Sequence, residues 1–179
     1  MNSRTRDRWS FDPRWCQLAN RWGTRHYVRI LFVAISRLGD GGLWYVLMAG
    51  MALLGGWRGF FAALHMLCTG AVATLLYRSL KGRTRRPRPF RVHAHVVALT
   101  APLDEYSFPS GHTLHAVCFS IVAVSWFSWL AAPLLAFTLL VAASRVVLGL
   151  HYPTDVAAGF ILGSGLGALS AWLGSMLVA

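Results

Sequence analysis

Residues 144–155, SRVVLGLHYPTD, separate two apolar stretches and carry a cation, an imidazole and a carboxylate: Arg145, His151 and Asp155. Gly149 favours the end of one helix, and Pro153 suits the first turn of the next. Because helical side chains tilt toward the N-terminus, Asp155 can reach back toward His151. A carboxylate on one imidazole nitrogen leaves the other nitrogen available as a base or nucleophile. The alternative is an interfacial His–Asp pair that only closes the loop between two apolar helices.

The chain around this stretch is too apolar for a soluble protein of its length. Of 179 residues, 56% are hydrophobic and 13% are charged, whereas soluble domains carry about 25% charged residues. This composition predicts an all-α, polytopic membrane helix bundle of about five to six transmembrane helices. The candidate spans are residues 41–57, 59–77, 113–130, 133–148 and 156–178. In the last span a four-residue spacing predicts a face that packs closely on another helix, at Gly159, Gly163 and Gly167.

Residues 1–40 form a basic segment ahead of the predicted membrane core at 41–179. Tryptophans alternate with arginines in residues 1–25, at Trp9, Trp15 and Trp22. This pattern is typical of a membrane-surface helix, with a disordered basic tail as the alternative. Residues 26–38 would rise about 20 Å as a helix, short of a hydrocarbon core of about 30 Å. We therefore expect them to form an interfacial or partly embedded helix.

The net charge of +11 comes from 17 Lys and Arg against 6 Asp and Glu. Most of the basic residues lie in two clusters, 1–40 and 78–91, which apolar runs separate. A uniformly basic surface would indicate nucleic acid, whereas separate clusters favour juxtamembrane flanks or an anion site. We therefore expect no nucleic-acid partner. No metal-binding or disulfide spacing links the three cysteines, Cys16, Cys68 and Cys118.

The first polar cluster is KGRTRRPRP, residues 81–89. Positive charge beside a span is commonly a topology signal, and that remains one interpretation. Pro87 and Pro89 argue against a simple continuation of the helix. They predict a stiff, extended stretch that holds Arg86 and Arg88 in fixed directions.

The second cluster is YSFPSGHTLH, residues 106–115, which immediately precedes an apolar span. Ser110 is placed to cap the helix that begins there, and a helix N-terminus favours anions. His112 lies in the first turn of that helix. Ordinary capping beside an interfacial histidine is the alternative, and we expect His115, one turn further on, to be structural.

Helix parity places the active-site segments 78–112 and 144–155 on the same face of the membrane. Together they contribute cations, a helix N-terminus, two histidines and an aspartate. A phosphate group requires cations and N–H donors for its oxygens, a nucleophile at phosphorus and an acid for the leaving oxygen. Ionisable residues at a membrane edge that pair with one another indicate a functional site.

Three spaced motifs carry a resemblance to a known family. They are K-x6-R-P at Lys81, Arg88 and Pro89, P-S-G-H at 109–112, and S-R-x5-H-x3-D at Ser144, Arg145, His151 and Asp155. In this order and spacing they resemble the signature of the type-2 phosphatidic acid phosphatases. That superfamily also includes bacterial acid phosphatases and vanadate haloperoxidases, and the apolar spans favour its membrane branch.

The resemblance implies a set of phosphate-binding residues. Lys81, Arg88 and Arg145 would hold the phosphate oxygens. Ser110 and the backbone of Gly111 would add further hydrogen-bond donors.

The resemblance also implies catalytic roles. His151 would attack phosphorus and form a phosphohistidine, with Asp155 orienting it. His112 would protonate the leaving oxygen and then help activate water. No metal ion and no cofactor are expected, and we interpret Asp104 and Glu105 as loop residues that could shape the substrate entrance.

The leading hypothesis is an integral membrane phosphatase that hydrolyses a lipid phosphomonoester or pyrophosphate. Undecaprenyl pyrophosphate is the first expected substrate, followed by phosphatidylglycerophosphate or phosphatidic acid. The partners expected are this lipid and the surrounding membrane lipids, without an obligate protein partner. By family analogy we place the protein in the bacterial inner membrane with its site facing the periplasm. The alternative is a cytoplasmic site, which the Arg-rich tail would favour if residues 26–38 stay at the membrane surface.

Two alternatives remain from the residues. An anionic-lipid-binding scaffold or transporter subunit would explain the arginine clusters but not the His–Asp spacing. Halide oxidation with bound vanadate is the other, and it is disfavoured because haloperoxidases are soluble.

Overall fold

The computed structural model describes residues 11–178, so residues 1–10 of the expected surface segment, including Trp9, lie outside the described residues. The helices are α1 (Phe11–Gly23), α2 (His26–Arg37), α3 (Leu43–Leu54), α4 (Gly56–Thr84), α5 (Pro89–Val92), α6 (Gly111–Trp126), α7 (Ala131–Val147) and α8 (Pro153–Val178). A π-helical turn at Leu38–Gly42 links α2 to α3, and a 3-10 turn at Ser128–Leu130 precedes α7. Every regular element of residues 11–178 is helical, which confirms the all-α fold class.

Within residues 11–178, four helical segments are long and apolar enough to cross a membrane: His26–Leu54, Gly56–Val92, Ser128–Val147 and Pro153–Met176. A fifth apolar helix, α6, is shorter. Large apolar side chains are exposed on the outer faces of these helices, such as Leu54, Val46, Leu75 and Ile161. Such a surface suits lipid rather than water. The polytopic membrane bundle is therefore confirmed.

Residues 26–38 and 41–57, predicted as separate elements, are joined through a kink at Gly41, whose φ is 136°. A Cβ at Gly23, before α2, would meet Val147, and one at Gly39 would meet Val141. These two contacts place the residues on either side of α2 against the C-terminal half of α7. The depth of α2 in the bilayer stays a prediction.

The α8 helix packs on α6 through the predicted glycine face. A Cβ at Gly159 would lie 2.6 Å from the carbonyl oxygen of Ser110, and one at Gly163 would lie 2.6 Å from that of Leu114. The Gly167 position approaches Cys118 in the same way, at 3.2 Å. These contacts bring two helix backbones together because no side chain stands between them.

The α4 helix is longer than the span predicted at 59–77. Its 29 residues rise roughly 43 Å, more than the hydrocarbon core of about 30 Å. The helix ends where Arg85 adopts a left-handed conformation, with φ 46° and ψ 33°. Its last turns carry Lys81 to the end of the bundle where the other polar segments converge.

Candidate active site

The predicted site segments meet at one end of the bundle. Around a cavity of about 890 Å³ lie the ends of α4 and α7, the start of α6 and the turn before α8. Six predicted site residues line this cavity: Lys81, Arg88, Gly111, His112, Arg145 and His151. Ser110 and Asp155 are fully buried behind the wall.

His151 lies in the turn between α7 and α8 and is almost completely buried. Its Nδ1–H donates to the carbonyl oxygen of Ser107 at 2.7 Å, which leaves the lone pair on Nε2. Nη1 of Arg88 lies 3.3 Å from that nitrogen. Burial and then the positive charges of Arg145, Arg88 and Lys81 hold the pKa of His151 well below its usual range. Both observations favour the neutral imidazole, whose Nε2 accepts from Arg88 among the cations of the cavity.

Asp155 does not form the expected hydrogen bond with His151. Its Oδ2 lies 3.7 Å from Nδ1 of His151, which is too long for a hydrogen bond. That oxygen accepts the backbone N–H of Tyr152 at 2.9 Å, and Oδ1 accepts Nη1 of Arg86 at 2.6 Å. The carboxylate is turned toward Arg86, and the Ser107 carbonyl makes the bond to the imidazole instead. An orienting role of Asp155 stays a prediction, now acting through the backbone of residue 152.

Lys81 and Arg88 share one carboxylate, that of Asp104. Nζ of Lys81 donates to both carboxylate oxygens, at 2.7 and 2.6 Å, and Nη2 of Arg88 donates to Oδ1 at 2.7 Å. Burial raises the pKa of Asp104, but the hydrogen bonds and charges of Lys81 and Arg88 outweigh it, so the pKa is lowered. Asp104 is therefore an anion bound to two predicted phosphate-binding groups, rather than only a loop residue.

Arg145 is buried at the end of α7, where Nη1 donates to the hydroxyl of Ser36. Its buried Nε has no hydrogen-bond partner among the described residues. An unsatisfied guanidinium N–H is costly, and an anion in the cavity would supply the missing acceptor. This geometry fits the predicted phosphate-binding role.

The start of α6 is built as predicted, except for its cap. Ser110 occupies the N-cap position, but its side chain makes no capping bond. Its hydroxyl pairs with that of Thr113 at 3.0 Å, since both are buried away from the cavity. Gly111 and His112 therefore present the helix N-terminus to the cavity, where backbone N–H groups favour an anion.

His112 contacts a carboxylate that the sequence did not single out. Its Nε2 is bonded to Oδ1 of Asp40, from the π-helical turn before α3. His115 is held by the carbonyl oxygen of Gly111 and the hydroxyl of Thr74, at 2.9 and 3.1 Å. The sequence signal for Asp40 is its position as an acidic residue between two apolar stretches.

Arg86 is a second residue whose function the motifs do not indicate. Its guanidinium bonds Asp155 at 2.6 Å and Asp12 of α1 at 2.8 Å, and it lies over the ring of Tyr152 at 4.1 Å. Asp12 also accepts the backbone N–H of Thr154 at 3.2 Å. Arg86 thereby ties α1 and the α4–α5 connection to the start of α8.

The described residues contain no group of three or more His, Cys, Asp or Glu side chains that could hold a metal ion. Each carboxylate of the site is hydrogen-bonded to a cation, to the imidazole of His112 or to a backbone N–H group. The arrangement has the chemistry of an anion site, with cations and N–H donors on one side and a neutral imidazole nitrogen on the other.

Comparison with known proteins indicates the family to which the chain belongs. The family model of the PAP2 superfamily matches residues 61–178. Lipid A 1-phosphatase of Rhizobium johnstonii is 30% identical over 124 residues, which are 67% of this chain and 49% of that protein. Undecaprenyl-diphosphatase of Sulfolobus acidocaldarius is 38% identical over 87 residues, 46% of this chain and 41% of that protein. The chain thus spans about half or less of these curated relatives.

A solved structure extends the likeness to nearly the whole chain. It is a transmembrane PAP2 type phosphatidylglycerolphosphate phosphatase from Bacillus subtilis, with a TM-score of 0.77 and 27% identity. The match covers 98% of this chain and 88% of that one. With the family model matched over well over half of its length, the chain belongs to the PAP2 superfamily.

Proposed function

We propose that this protein is a membrane lipid phosphatase that hydrolyses the phosphomonoester or pyrophosphate of a lipid through a phosphohistidine. The observation that carries the proposal is the state of His151. Its Nδ1–H is fixed on the Ser107 carbonyl, and its Nε2 faces a cavity lined by Lys81, Arg88 and Arg145. A neutral imidazole among cations is suited to attack a phosphoryl group.

In the first step Nε2 of His151 attacks phosphorus, and the P–N bond forms as the P–O bond to the lipid breaks. His112, at the start of α6, donates a proton to the leaving oxygen. Lys81, Arg88 and Arg145 balance the charge on the phosphoryl oxygens, together with the N–H groups of the helix N-terminus. In the second step His112 accepts a proton from water, whose oxygen attacks phosphorus and releases inorganic phosphate from His151.

The lipid character of the substrate is supported by the rest of the cavity wall. Beyond the cations, α3, α4 and α6 add apolar side chains to the lining, among them Trp44, Met48, Leu67 and Phe119. A hydrocarbon chain can lie there while its phosphate reaches the cations. Undecaprenyl pyrophosphate is the first candidate, followed by phosphatidylglycerophosphate and phosphatidic acid. Two of the similar proteins are an undecaprenyl-diphosphatase and a phosphatidylglycerolphosphate phosphatase, which supports the first two candidates.

We place the protein in a bacterial inner membrane, with the cavity facing the periplasm. This placement rests on family analogy. Adding substrate to sealed vesicles of known orientation checks it, since a periplasmic cavity gives phosphate release in right-side-out vesicles.

The activity is tested by phosphate release from these lipids by purified protein in detergent with a chelator present. We expect turnover by the wild type and none measurable by His151→Ala, because the variant lacks the proposed nucleophile. His95→Ala is the matched control, since His95 is exposed and does not line the cavity. Turnover retained in His151→Ala would overturn the proposed mechanism.

A further inference from the structure

The carboxylate of Asp104 lies where phosphoryl oxygens would have to bind. Its Oδ1 accepts from Nζ of Lys81 and from Nη2 of Arg88, both at 2.7 Å, and its Oδ2 accepts from Nζ of Lys81 at 2.6 Å. Its main-chain oxygen also accepts from Nε of Arg88 at 3.0 Å. Carboxylate and phosphate oxygens seek the same charged donors with similar geometry. The Asp104 carboxylate is therefore bound to two of the predicted phosphate-binding side chains, Lys81 and Arg88.

The two sides of this contact differ in burial. The side chains of Lys81 and Arg88 are 7% and 1% exposed, whereas that of Asp104 is 38% exposed. Lys81 is held on the last turns of α4, and Arg88 is fixed as the N-cap of α5 by a bond from Nη1 to the Leu150 carbonyl at 2.8 Å. Asp104 stands in the irregular segment between α5 and α6. The carboxylate is therefore the partner that can leave, since it lies on the outer side of two fixed cations.

Resting on the proposed function, we propose that Asp104 is a specificity-determining residue that competes with the phosphoryl group for Lys81 and Arg88. The substrate binds by displacing the carboxylate from both cations. A lipid phosphate gains additional binding energy from its hydrocarbon chain, and a pyrophosphate gains it from a second phosphoryl group. Inorganic phosphate has neither, so Asp104 returns to the cations and favours release of the product.

The opposite role is that Asp104 positions Lys81 and Arg88 for substrate. In that case removal of the carboxylate would weaken phosphate binding, because two buried like charges would lose the group that orders them. The competing role predicts the reverse, since the same removal makes both cations available to phosphate. The direction in which phosphate affinity changes when the carboxylate is removed thus distinguishes the two roles.

The test compares Asp104→Asn with Glu105→Gln. Both variants remove one carboxylate charge from the same segment, but Glu105 pairs with the exposed Arg91 at 3.3 Å rather than with the cations of the site. Isothermal calorimetry with inorganic phosphate, on protein in detergent, measures binding without turnover. We expect Asp104→Asn to bind phosphate about tenfold more tightly, as for the loss of a charged hydrogen-bond competitor, and Glu105→Gln to match the wild type.

A second measurement, thermal unfolding with and without phosphate, shows whether the variant is folded and binds phosphate. Phosphate should raise the melting temperature of Asp104→Asn more than that of the wild type, because binding to the folded state adds stability with affinity. Asp104→Ala should behave in the same way. Unchanged or weaker phosphate binding in these variants overturns the inference.

The outcomes keep the inference separate from the proposed function. Lipid turnover by the wild type without tighter phosphate binding in Asp104→Asn rejects the role of Asp104 alone. Tighter binding in a protein that releases no phosphate from any lipid rejects the phosphatase proposal, while the competition between carboxylate and anion stands.

Discussion

The end of the bundle that holds His151 and the opposite end that holds His65 both set a histidine in a hydrogen-bonded network beside a cavity. At the opposite end the cavity is the larger, about 1150 Å³, and it is lined largely by apolar side chains. Nδ1 of His65 accepts from Nε1 of Trp126 at 3.0 Å, and Nε2 pairs with the Ser170 hydroxyl at 2.7 Å. Both ring nitrogens are thereby satisfied by neutral groups.

The comparison shows how the surroundings of the proposed nucleophile differ from those of a structural histidine in this fold. One nitrogen of His151 donates to the Ser107 carbonyl and the other faces three cations, whereas both nitrogens of His65 are hydrogen-bonded to neutral side chains. Arg58 lies near His65, but it is exposed and donates to the Trp126 carbonyl at 2.6 Å. Both ends have a cavity and a histidine, so neither feature distinguishes the candidate site. The distinguishing feature is the positive charge around Nε2 of His151.

Removing a cation at each end tests this difference, and it has the largest expected effect. We expect Arg145→Ala to lower kcat/KM about 10³-fold, since the guanidinium faces developing phosphoryl charge in a buried site. Arg58→Ala should stay within about twofold, as exposed charges contribute little. Initial rates with one lipid phosphate measure both. A comparable loss in the two variants would contradict the assignment of the site to one end.

The pH dependence of kcat/KM sharpens the comparison. Protonation of His151 at low pH removes the nucleophile, and burial together with Arg145, Arg88 and Lys81 lowers its pKa below the ordinary 6.5. The acid limb of the profile should therefore lie below pH 6.5. In Arg145→Ala it should move upward, because one of the charges that oppose protonation is gone. An acid limb above that pH in the wild type, or one that does not move, would contradict this account.

The smallest effect on activity is expected for His65→Ala, which should keep the rate within about threefold. The melting temperature should fall by a few degrees, because Trp126 and Ser170 lose a partly buried hydrogen-bond partner. A thermal unfolding scan beside a single-substrate rate measurement separates the two quantities. Loss of activity without loss of stability would make His65 part of the site.

The fold class and the meeting of the three motifs were predictable, because apolar length and helix parity bring helix ends to the same face. The partners of the site residues were not. The acceptor for His151 is a backbone carbonyl, that of Ser107, which carries no signal in residue type. Asp155 is bonded to Arg86 rather than to His151. The motif spacing does not distinguish Arg86 from the neighbouring arginines.

Asp40 shows a second limit of sequence reasoning. It reaches His112 because α2 and α3 are joined through a kink at Gly41, and hydropathy indicates the helices but not the angle between them. Asp104 shows a third limit. A carboxylate five residues before Pro109 is typical of a loop, and its contact with Lys81 and Arg88 depends on the path of residues 93–110.

The glycine contact between α6 and α8 has a consequence for the membrane in which the protein works. A backbone bond from Ser110 N–H to the Asp155 carbonyl, at 3.0 Å, ties the two helices at the site end, and Gly163 brings their backbones together deeper in the bilayer. Helices that meet a bilayer of different thickness adjust by tilting. We therefore expect these two helices to tilt together, which would keep the spacing between His112 and His151 constant when the lipid composition changes.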